Sequence, residues 1–316
     1  MMKILIADSI AASAIAELQK EFEVTNQHYS PAELLTEIDK YHAIIVRSAT
    51  KLPREVIEKG TQLKVIGRAG IGVDNIDVQA ATEKGIYVVN SPRASTISVA
   101  EMTIAFILAL SRKIIQASSR TKRGEWPKNQ LMGMELFDKT LGFVGCGRIG
   151  AEVVKRAKAF GMKCLVYDPY LPGEVFQKIG AEKTEDLNRV LQDSDFVTIH
   201  ALLTDETRGM ISKEELDQMK PSAFIINCAR GGIIDEEALY NALKENKIAG
   251  AALDVFAVEP MKNNKLFELE NVYVSPHISA STKEAQERAG QITAQQVKLV
   301  LNGQKPEFSV NANQLE

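Results

Sequence analysis

A chain of 316 residues, 45% of them apolar, has enough material for two compact domains, each with its own core. Its net charge of −3 supplies no basic field, which excludes nucleic acid as the expected partner. The three cysteines sit at spacings of neither a zinc site nor a disulfide framework, so the expectation is reduced thiols, no metal, and a soluble cytoplasmic protein.

Strand-like and helix-like segments alternate from the start, the signature of a parallel sheet wound by helices. Lys3 to Ala7 reads as a strand, Ala11 to Glu21 as a helix and Phe22 to Thr25 as a short strand. Pro31 to Asp39 is a helix capped by Ser30, followed by the strand Ala43 to Val46 and a helix over Pro53 to Lys59. Strands at Lys64 to Gly67 and Tyr87 to Asn90 flank a helix over Val78 to Lys84. After Lys64 to Gly67 comes Arg68-Ala69-Gly70-Ile71-Gly72-Val73-Asp74, whose glycines let backbone N–H groups converge on an anion. Arg47, at the end of its own strand, points to the same sheet edge, where open α/β sheets bind ligands. One long helix is expected from Thr96 to about Ser119. Its centre is apolar nearly all round, as in a buried helix, and Met102 to Leu110 is too short to span a bilayer. Trp126, between Gly124 and Pro127, is expected on an excursion suited to a subunit interface, with ordinary core packing as the competing reading.

Thr140 to Asp168 is the most informative stretch. The apolar run Leu141 to Val144 ends in Gly145-Cys146-Gly147-Arg148-Ile149-Gly150, a helix continues through Ala151 to Phe160, and a second strand, Cys164 to Tyr167, stops at Asp168. In a dinucleotide-binding unit Gly145 makes the turn, Gly147 lets the backbone approach the pyrophosphate, and Gly150 lets the helix pack on the strand. Asp168, roughly 20 residues on, would accept hydrogen bonds from the adenosine ribose and repel a 2′-phosphate, which favours NAD over NADP. The alternation resumes with a strand at Phe196 to Ile199, a helix at Lys213 to Met219, and a strand at Ala223 to Asn227 leading into Cys228-Ala229-Arg230-Gly231-Gly232. A helix at Glu236 to Lys244 precedes strands at Ala251 to Leu253 and Val272 to Ser275, which lead to Asp254 and to Pro276-His277. A last helix, Ser281 to Leu301, is long enough to return to the first domain, and order is expected to end roughly ten residues before the C-terminus.

With the motifs Asn227 to Gly232, Ala252-Leu253-Asp254-Val255-Phe256 with Glu259-Pro260, and Ser275-Pro276-His277, the chain resembles the D-isomer-specific 2-hydroxyacid dehydrogenase family over essentially its whole length. The resemblance implies two doubly wound parallel-sheet α/β domains: a Rossmann NAD-binding domain, 95–283, inserted into a flavodoxin-like substrate domain, 1–94 and 284–316. It implies that Arg230 grips the substrate carboxylate or 2-oxygen. It makes His277 the acid/base at the C2 oxygen and Glu259 the group that holds the imidazole and stabilises its charged form. NAD would be held by Gly145, Gly147, Arg148, Ile149, Gly150 and Asp168, joined by Cys228, Ala229, Asp254, His277 and Ala280.

Val46-Arg47-Ser48-Ala49-Thr50, Gly67-Arg68-Ala69-Gly70 and Ser281-Thr282-Lys283-Glu284-Ala285 resemble the phosphoglycerate-oxidising branch of that family. That implies oxidation of 3-phospho-D-glycerate to 3-phosphooxypyruvate, at the start of serine synthesis, by a homodimer or tetramer. Gly70, Ile71 and Gly72 would meet the substrate carboxylate, and Arg47 and Arg68 its phosphate. The alternative within the family is a hydroxypyruvate or glyoxylate reductase. The fold also resembles NAD-binding transcriptional corepressors, whose extra peptide-binding and disordered segments are not seen in this sequence. Three positions depart from the family pattern: Ala201-Leu202 replaces a small polar residue and proline, Ile71 a threonine, and Ser279 a glycine. The chain ends at Glu316, so the expectation is no serine-sensing domain and no feedback through one.

Overall fold

The computed structural model describes residues 1–315. They divide into two compact units, Met1–Thr96 with the chain from Ala280 onward, and Ile97–Ser279.

In the first unit, strands β1 (Lys3–Ile6), β2 (Glu23–Asn26), β3 (Ala43–Val46), β4 (Val65–Arg68) and β5 (Tyr87–Asn90) form a parallel sheet in the order β2-β1-β3-β4-β5. This is the flavodoxin-like order, with its topological switch between β1 and β3. All four residues of β3, Ala-Ile-Ile-Val, are apolar and buried, as a strand covered on both faces requires. Alternate residues feed two cores. Leu5, Ile44 and Ile66 face a cluster with Leu34, Val56 and Ala80 from the helices Pro31–Glu37, Arg54–Lys59 and Val78–Glu83. Ile4, Ile6 and Ile45 face a cluster with Leu18 of the helix Ala12–Gln19 and Val297 of the helix Lys283–Leu301. Each fully buried isoleucine or leucine contributes about 1.5–3 kcal/mol, so the two clusters account for the doubly wound layering.

The returning helix Lys283–Leu301 lies so close to β4 that a Cβ on Gly67 would stand 2.8 Å from both Thr293 and Val297 methyls. Among the described residues, those from Glu307 onward are tied to the fold, contrary to the expectation. Gln296 Oε1 accepts the N–H groups of Glu307 and Phe308 at 2.7 and 3.0 Å, and Val310 N–H reaches Val88 carbonyl at 2.9 Å. Asn311 is 1% exposed. Its side chain accepts Val88 N–H at 2.9 Å and donates to Ile86 carbonyl at 2.9 Å. The segment therefore satisfies the outer edge of β5, which a polar tail sequence does not announce.

The second unit holds β6 (Thr140–Val144), β7 (Lys163–Tyr167), β8 (Glu182–Thr184), β9 (Phe196–Ile199), β10 (Phe224–Asn227), β11 (Gly250–Leu253) and β12 (Val272–Val274). They form one parallel sheet, β12-β11-β10-β9-β6-β7-β8. This is the Rossmann order extended by one strand, with the switch between β6 and β9. The helices Gly173–Ile179 and Leu187–Asp193, with β8 between them, carry no predicted element; they are short, and the Gly180 C-cap, with φ 73°, and the Asp186 N-cap, accepting Asn188 N–H at 2.9 Å, mark them locally.

The long helix expected from Thr96 is two, Thr96–Ser111 and Ile114–Lys122. Lys113 turns left-handed with φ 50°. Ser111 carbonyl accepts Met134 N–H at 2.8 Å, where a continuous helix would have used residue 115. A Cβ on Gly133 would stand 2.4 Å from that carbonyl oxygen, so a distant glycine makes the break possible. Among the described residues no helix is long and apolar enough to cross a membrane.

Candidate active site

At the switch of the second sheet, β6 ends at Val144 and the chain turns at Gly145, with φ +77°. Gly145 N–H donates to Tyr167 carbonyl at 2.8 Å, and a Cβ here would stand 2.9 Å from Ala201 N, so both conformation and space demand glycine. Gly147 caps the helix Arg148–Ala159 without a side-chain hydrogen bond, and nothing lies within 4 Å of where its Cβ would be. An open helix N-terminus with unpaired N–H groups is the donor set a pyrophosphate requires. A Cβ on Gly150 would stand 2.9 Å from Cys146 Sγ, so this glycine packs the helix start against its own turn rather than against the strand as expected. Arg148 is exposed at the first helical position, with Ile149 partly buried beside it.

Asp168 is only 7% exposed. Its carboxylate accepts N–H groups of Cys146 at 2.9 Å, Tyr170 at 3.0 Å and Leu171 at 3.1 Å. A carboxylate offers about four lone-pair sites, so one remains for a ribose hydroxyl. The open glycine cradle and this carboxylate together fit a dinucleotide. His200, unassigned by its motif, stands at the same switch point after β9, stacked on Phe143 at 5.9 Å with Nε2 3.1 Å from Thr198 Oγ1. Burial holds its imidazole well below the ordinary range and therefore neutral.

Strands β10, β11 and β12 are neighbours, with Asn227 opposite Leu253 and Leu253 opposite Val274. Arg230, Glu259 and His277 all follow those strand ends, so they leave the sheet at one edge. Glu259 Oε2 is 2.7 Å from His277 Nδ1, while its Oε1 accepts Phe256 N–H at 3.0 Å. An ionised carboxylate can only accept, so Nδ1 carries the proton and Nε2 of the neutral ring is left as an acceptor. His277 itself has φ 54°, uncommon for a side-chain-bearing residue. Its N–H donates to Asp254 carbonyl at 2.8 Å, and Asp254 carboxylate accepts Ile278 N–H and Ser279 N–H, each at 2.8 Å, together with Ser275 hydroxyl. Fully buried, Asp254 thus anchors the turn that carries His277, a role no motif announced.

Arg230 sits on a turn tied by Asn227, whose side chain donates to Arg230 carbonyl at 2.8 Å and accepts Ala229 N–H at 3.0 Å. Arg230 guanidinium donates to Ala229 carbonyl at 2.8 Å. Gly231 lets the Phe256 to Glu259 loop approach: a Cβ there would stand 1.9 Å from Phe256 carbonyl carbon and oxygen. Cys228 is buried and its thiol is pushed up to about 12, chiefly by burial and also by Asp254, against the opposing effect of the Ser279 and Thr103 hydroxyls. That is an inert thiol; Ser279, one of the departures, is buried with its hydroxyl unpartnered. Ala280 carbonyl accepts Thr282 N–H at 3.1 Å.

In the first unit the switch between β1 and β3 carries Asp8 and Arg47. Asp8 is 8% exposed. It accepts Arg47 N–H at 2.6 Å, Thr50 N–H at 3.1 Å and Thr50 hydroxyl at 2.7 Å. Asn75 donates to the carbonyls of Arg47 and Thr50 at 2.7 and 2.6 Å. Neither Asp8 nor Asn75 was singled out in the sequence, although an aspartate closing an apolar strand was the available signal. Arg68 folds back over Gly70, where a Cβ would stand 1.7 Å from Nη1, and donates to Ala69 carbonyl at 3.0 Å. Gly70 N–H donates to Arg68 carbonyl at 2.8 Å, while the carbonyls of Gly70 and Ile71 accept from Ser91 N–H at 2.9 Å and Asn90 Nδ2 at 2.7 Å. Ile71 and Gly72 then form the outer part of the loop.

Comparison with known proteins places these features in a family. Residues 104–279 match the family model described as D-isomer specific 2-hydroxyacid dehydrogenase, NAD binding domain. The chain is 54% identical over 312 residues to a D-3-phosphoglycerate dehydrogenase of Methanocaldococcus jannaschii, covering 98% of this chain and 60% of that protein's length. It is 48% identical over 275 residues to a hydroxypyruvate reductase of Thermotoga maritima, covering 86% of this chain and 89% of the relative. Among solved structures, a glyoxylate reductase of Paecilomyes thermophila superposes with a TM-score of 0.89 at 29% identity, over 99% of each chain. With the glycine cradle, the two parallel sheets and the relatives in agreement, the chain belongs to the D-isomer-specific 2-hydroxyacid dehydrogenase family and carries its NAD-binding domain.

Proposed function

We propose that this protein oxidises 3-phospho-D-glycerate to 3-phosphooxypyruvate with NAD, the first step of serine synthesis. The observation that carries the reading is the 2.7 Å pair of His277 Nδ1 and Glu259 Oε2, on the sheet edge that also presents Arg230. Arg230 holds the substrate carboxylate or C2 oxygen through its planar fork and favours the carbonyl as it forms. His277 Nε2 takes the proton of the C2 hydroxyl and returns it in reduction, while Glu259 favours the imidazolium produced. NAD, when bound by Gly145, Gly147, Arg148, Ile149, Gly150 and Asp168, supplies the hydride acceptor. Cys228, Ala229, Asp254 and Ala280 border that site in the loops after β10, β11 and β12.

Substrate choice rests on the first unit. Arg47 and Arg68 meet the 3-phosphate, and the loop Gly70, Ile71 and Gly72 meets the carboxylate. Two arginines suit a phosphorylated acid, whereas the hydroxypyruvate reductase relative supports the competing reductase reading. The deciding experiment compares kcat/KM for 3-phosphooxypyruvate and hydroxypyruvate, then repeats both with Arg47→Ala. A loss of about tenfold or more confined to the phosphorylated acid is expected, since a charged hydrogen bond is worth about 1.5–3 kcal/mol. Equal efficiency toward the two acids in the unmodified protein would overturn the phosphoglycerate reading in favour of the reductase.

We further assign a homodimer, because Trp126 and Met132 are each 78% exposed in a segment that also exposes Ile114 and Ile115. Sedimentation of the purified protein at monomer mass across micromolar concentrations would rule that out. All three cysteines are free thiols, which fits a reducing cytoplasm.

A further inference from the structure

The loops flanking the dinucleotide crevice are joined by a contact that the cofactor reading does not use. Tyr170 hydroxyl donates to Glu206 Oε2 at 2.6 Å, across 36 residues of chain. Tyr170 follows β7 and Glu206 lies in the loop after β9, while the sheet order is β9-β6-β7. A bond between those two loops therefore passes over the loop after β6, which is the glycine turn of the crevice. It does so at the ribose end, because Tyr170 N–H is itself bonded to Asp168 at 3.0 Å. The Tyr170 ring is 76% exposed, so core packing does not explain its placement. Glu206 is thus linked to Asp168 through a single tyrosine with a hydrogen bond at each end, and the Glu206 carboxylate holds the Tyr170 phenol above its usual range.

We propose that Tyr170 and Glu206 form a strap over the adenosine half of the crevice, which slows release of the dinucleotide and, through the Glu206 charge, adds to the rejection of a 2′-phosphate. The proposal rests on the NAD-binding reading above and deepens it. A ring that is in water without cofactor is covered when a ribose lies beneath it, and the strap must open to admit or release that ribose. Asp168 rejects a phosphate at the ribose hydroxyls themselves; Glu206 does so from the opposite wall of the crevice, where Coulomb repulsion acts without direct contact.

Stopped-flow fluorescence of NADH and NADPH binding, without substrate, tests this in the unmodified protein, Tyr170→Phe and Glu206→Gln. Tyr170→Phe keeps the ring and removes the bond, so NADH dissociation is expected to quicken about 3- to 10-fold. Glu206→Gln keeps an acceptor and removes the charge, so NADPH affinity is expected to rise about fivefold while the NADH dissociation rate stays within about twofold. Both side chains are exposed, so neither variant threatens folding. Unchanged NADH dissociation in Tyr170→Phe, or an unchanged NADPH to NADH preference in Glu206→Gln, overturns the strap while leaving the cofactor reading standing. An unmodified protein that binds neither dinucleotide overturns both.

Discussion

At Gly231 a single methyl group separates a formed site from a displaced one. A Cβ there would stand 1.9 Å from Phe256 carbonyl atoms, so the loop that carries Glu259 must move. Misplacement of a catalytic group by about 1 Å costs on the order of 10²-fold in rate. Gly231→Ala is therefore expected to lower kcat/KM by about 10²-fold, and near-normal turnover would show that the 256–259 loop yields without consequence. His277→Asn removes the proposed base, and a kcat about 10²–10⁴-fold lower is the expected outcome; turnover within about tenfold of the unmodified protein would take that role from His277. The proposed roles of Arg230 and His277 come from the sequence, because their side-chain chemistry is itself the signal. The supporting roles of Gly231, Asn227 and Asp254 could not be read there, although all three lie in the motifs, because those roles depend on what packs on them or bonds to them from distant parts of the chain; Asp8 was passed over although an aspartate closing an apolar strand was there to read.

Among the elements, strands buried on both faces were legible, while the short edge strand β8 and the interruptions were not. Parallel strands buried on both faces read as apolar runs, as β3 and β10 do. The break after Ser111 has no such local cause: the sequence through Lys113 is compatible with helix, and Gly133 and Met134 decide otherwise from twenty residues away. The C-terminal segment was missed for the same reason, since its order depends on Asn311 meeting the edge of β5. Asn311→Ala leaves Val88 N–H and Ile86 carbonyl buried without that partner. Each orphaned group costs about 1–3 kcal/mol, so a destabilisation of about 3 kcal/mol is expected, read as a lower urea midpoint at unchanged slope. A midpoint within experimental error of the unmodified protein would mean that the segment contributes little to stability.

For the molecule as a whole, buried titrating groups shape the pH dependence of stability. His200 binds its proton less readily in the fold than in the unfolded chain, where the ordinary value is near 6.5. Below that value the unfolded chain takes up more protons, so stability is full above it and falls as the pH drops. The thiols act at the other end. Burial raises Cys146 and Cys228 to about 12 and Cys164 to about 11 from an ordinary 9.0. Above pH 9 the unfolded chain releases those protons first, and stability falls again. Urea midpoints at pH 7.5 and pH 5 check the acid side: the midpoint is expected to be lower at pH 5, and His200→Gln to narrow the gap. A gap unchanged by that substitution would assign the acid sensitivity to other groups.

The sequence by itself determined the class of fold and the sheet edge on which the proposed site stands. Apolar runs of strand length, separated by helical patterns, can be buried only in a wound parallel sheet, and such sheets bind ligands at the carboxyl ends where Gly145, Asp168, Arg230 and His277 stand. Only the tertiary structure decided the rest: that Asp254 anchors the His277 turn, that Gly231 admits the Glu259 loop, that the chain breaks at Lys113, and that Tyr170 meets Glu206. Each of these depends on two segments far apart in the chain arriving within bonding distance. That distance is set by packing of the layers between them, which local composition and spacing do not encode.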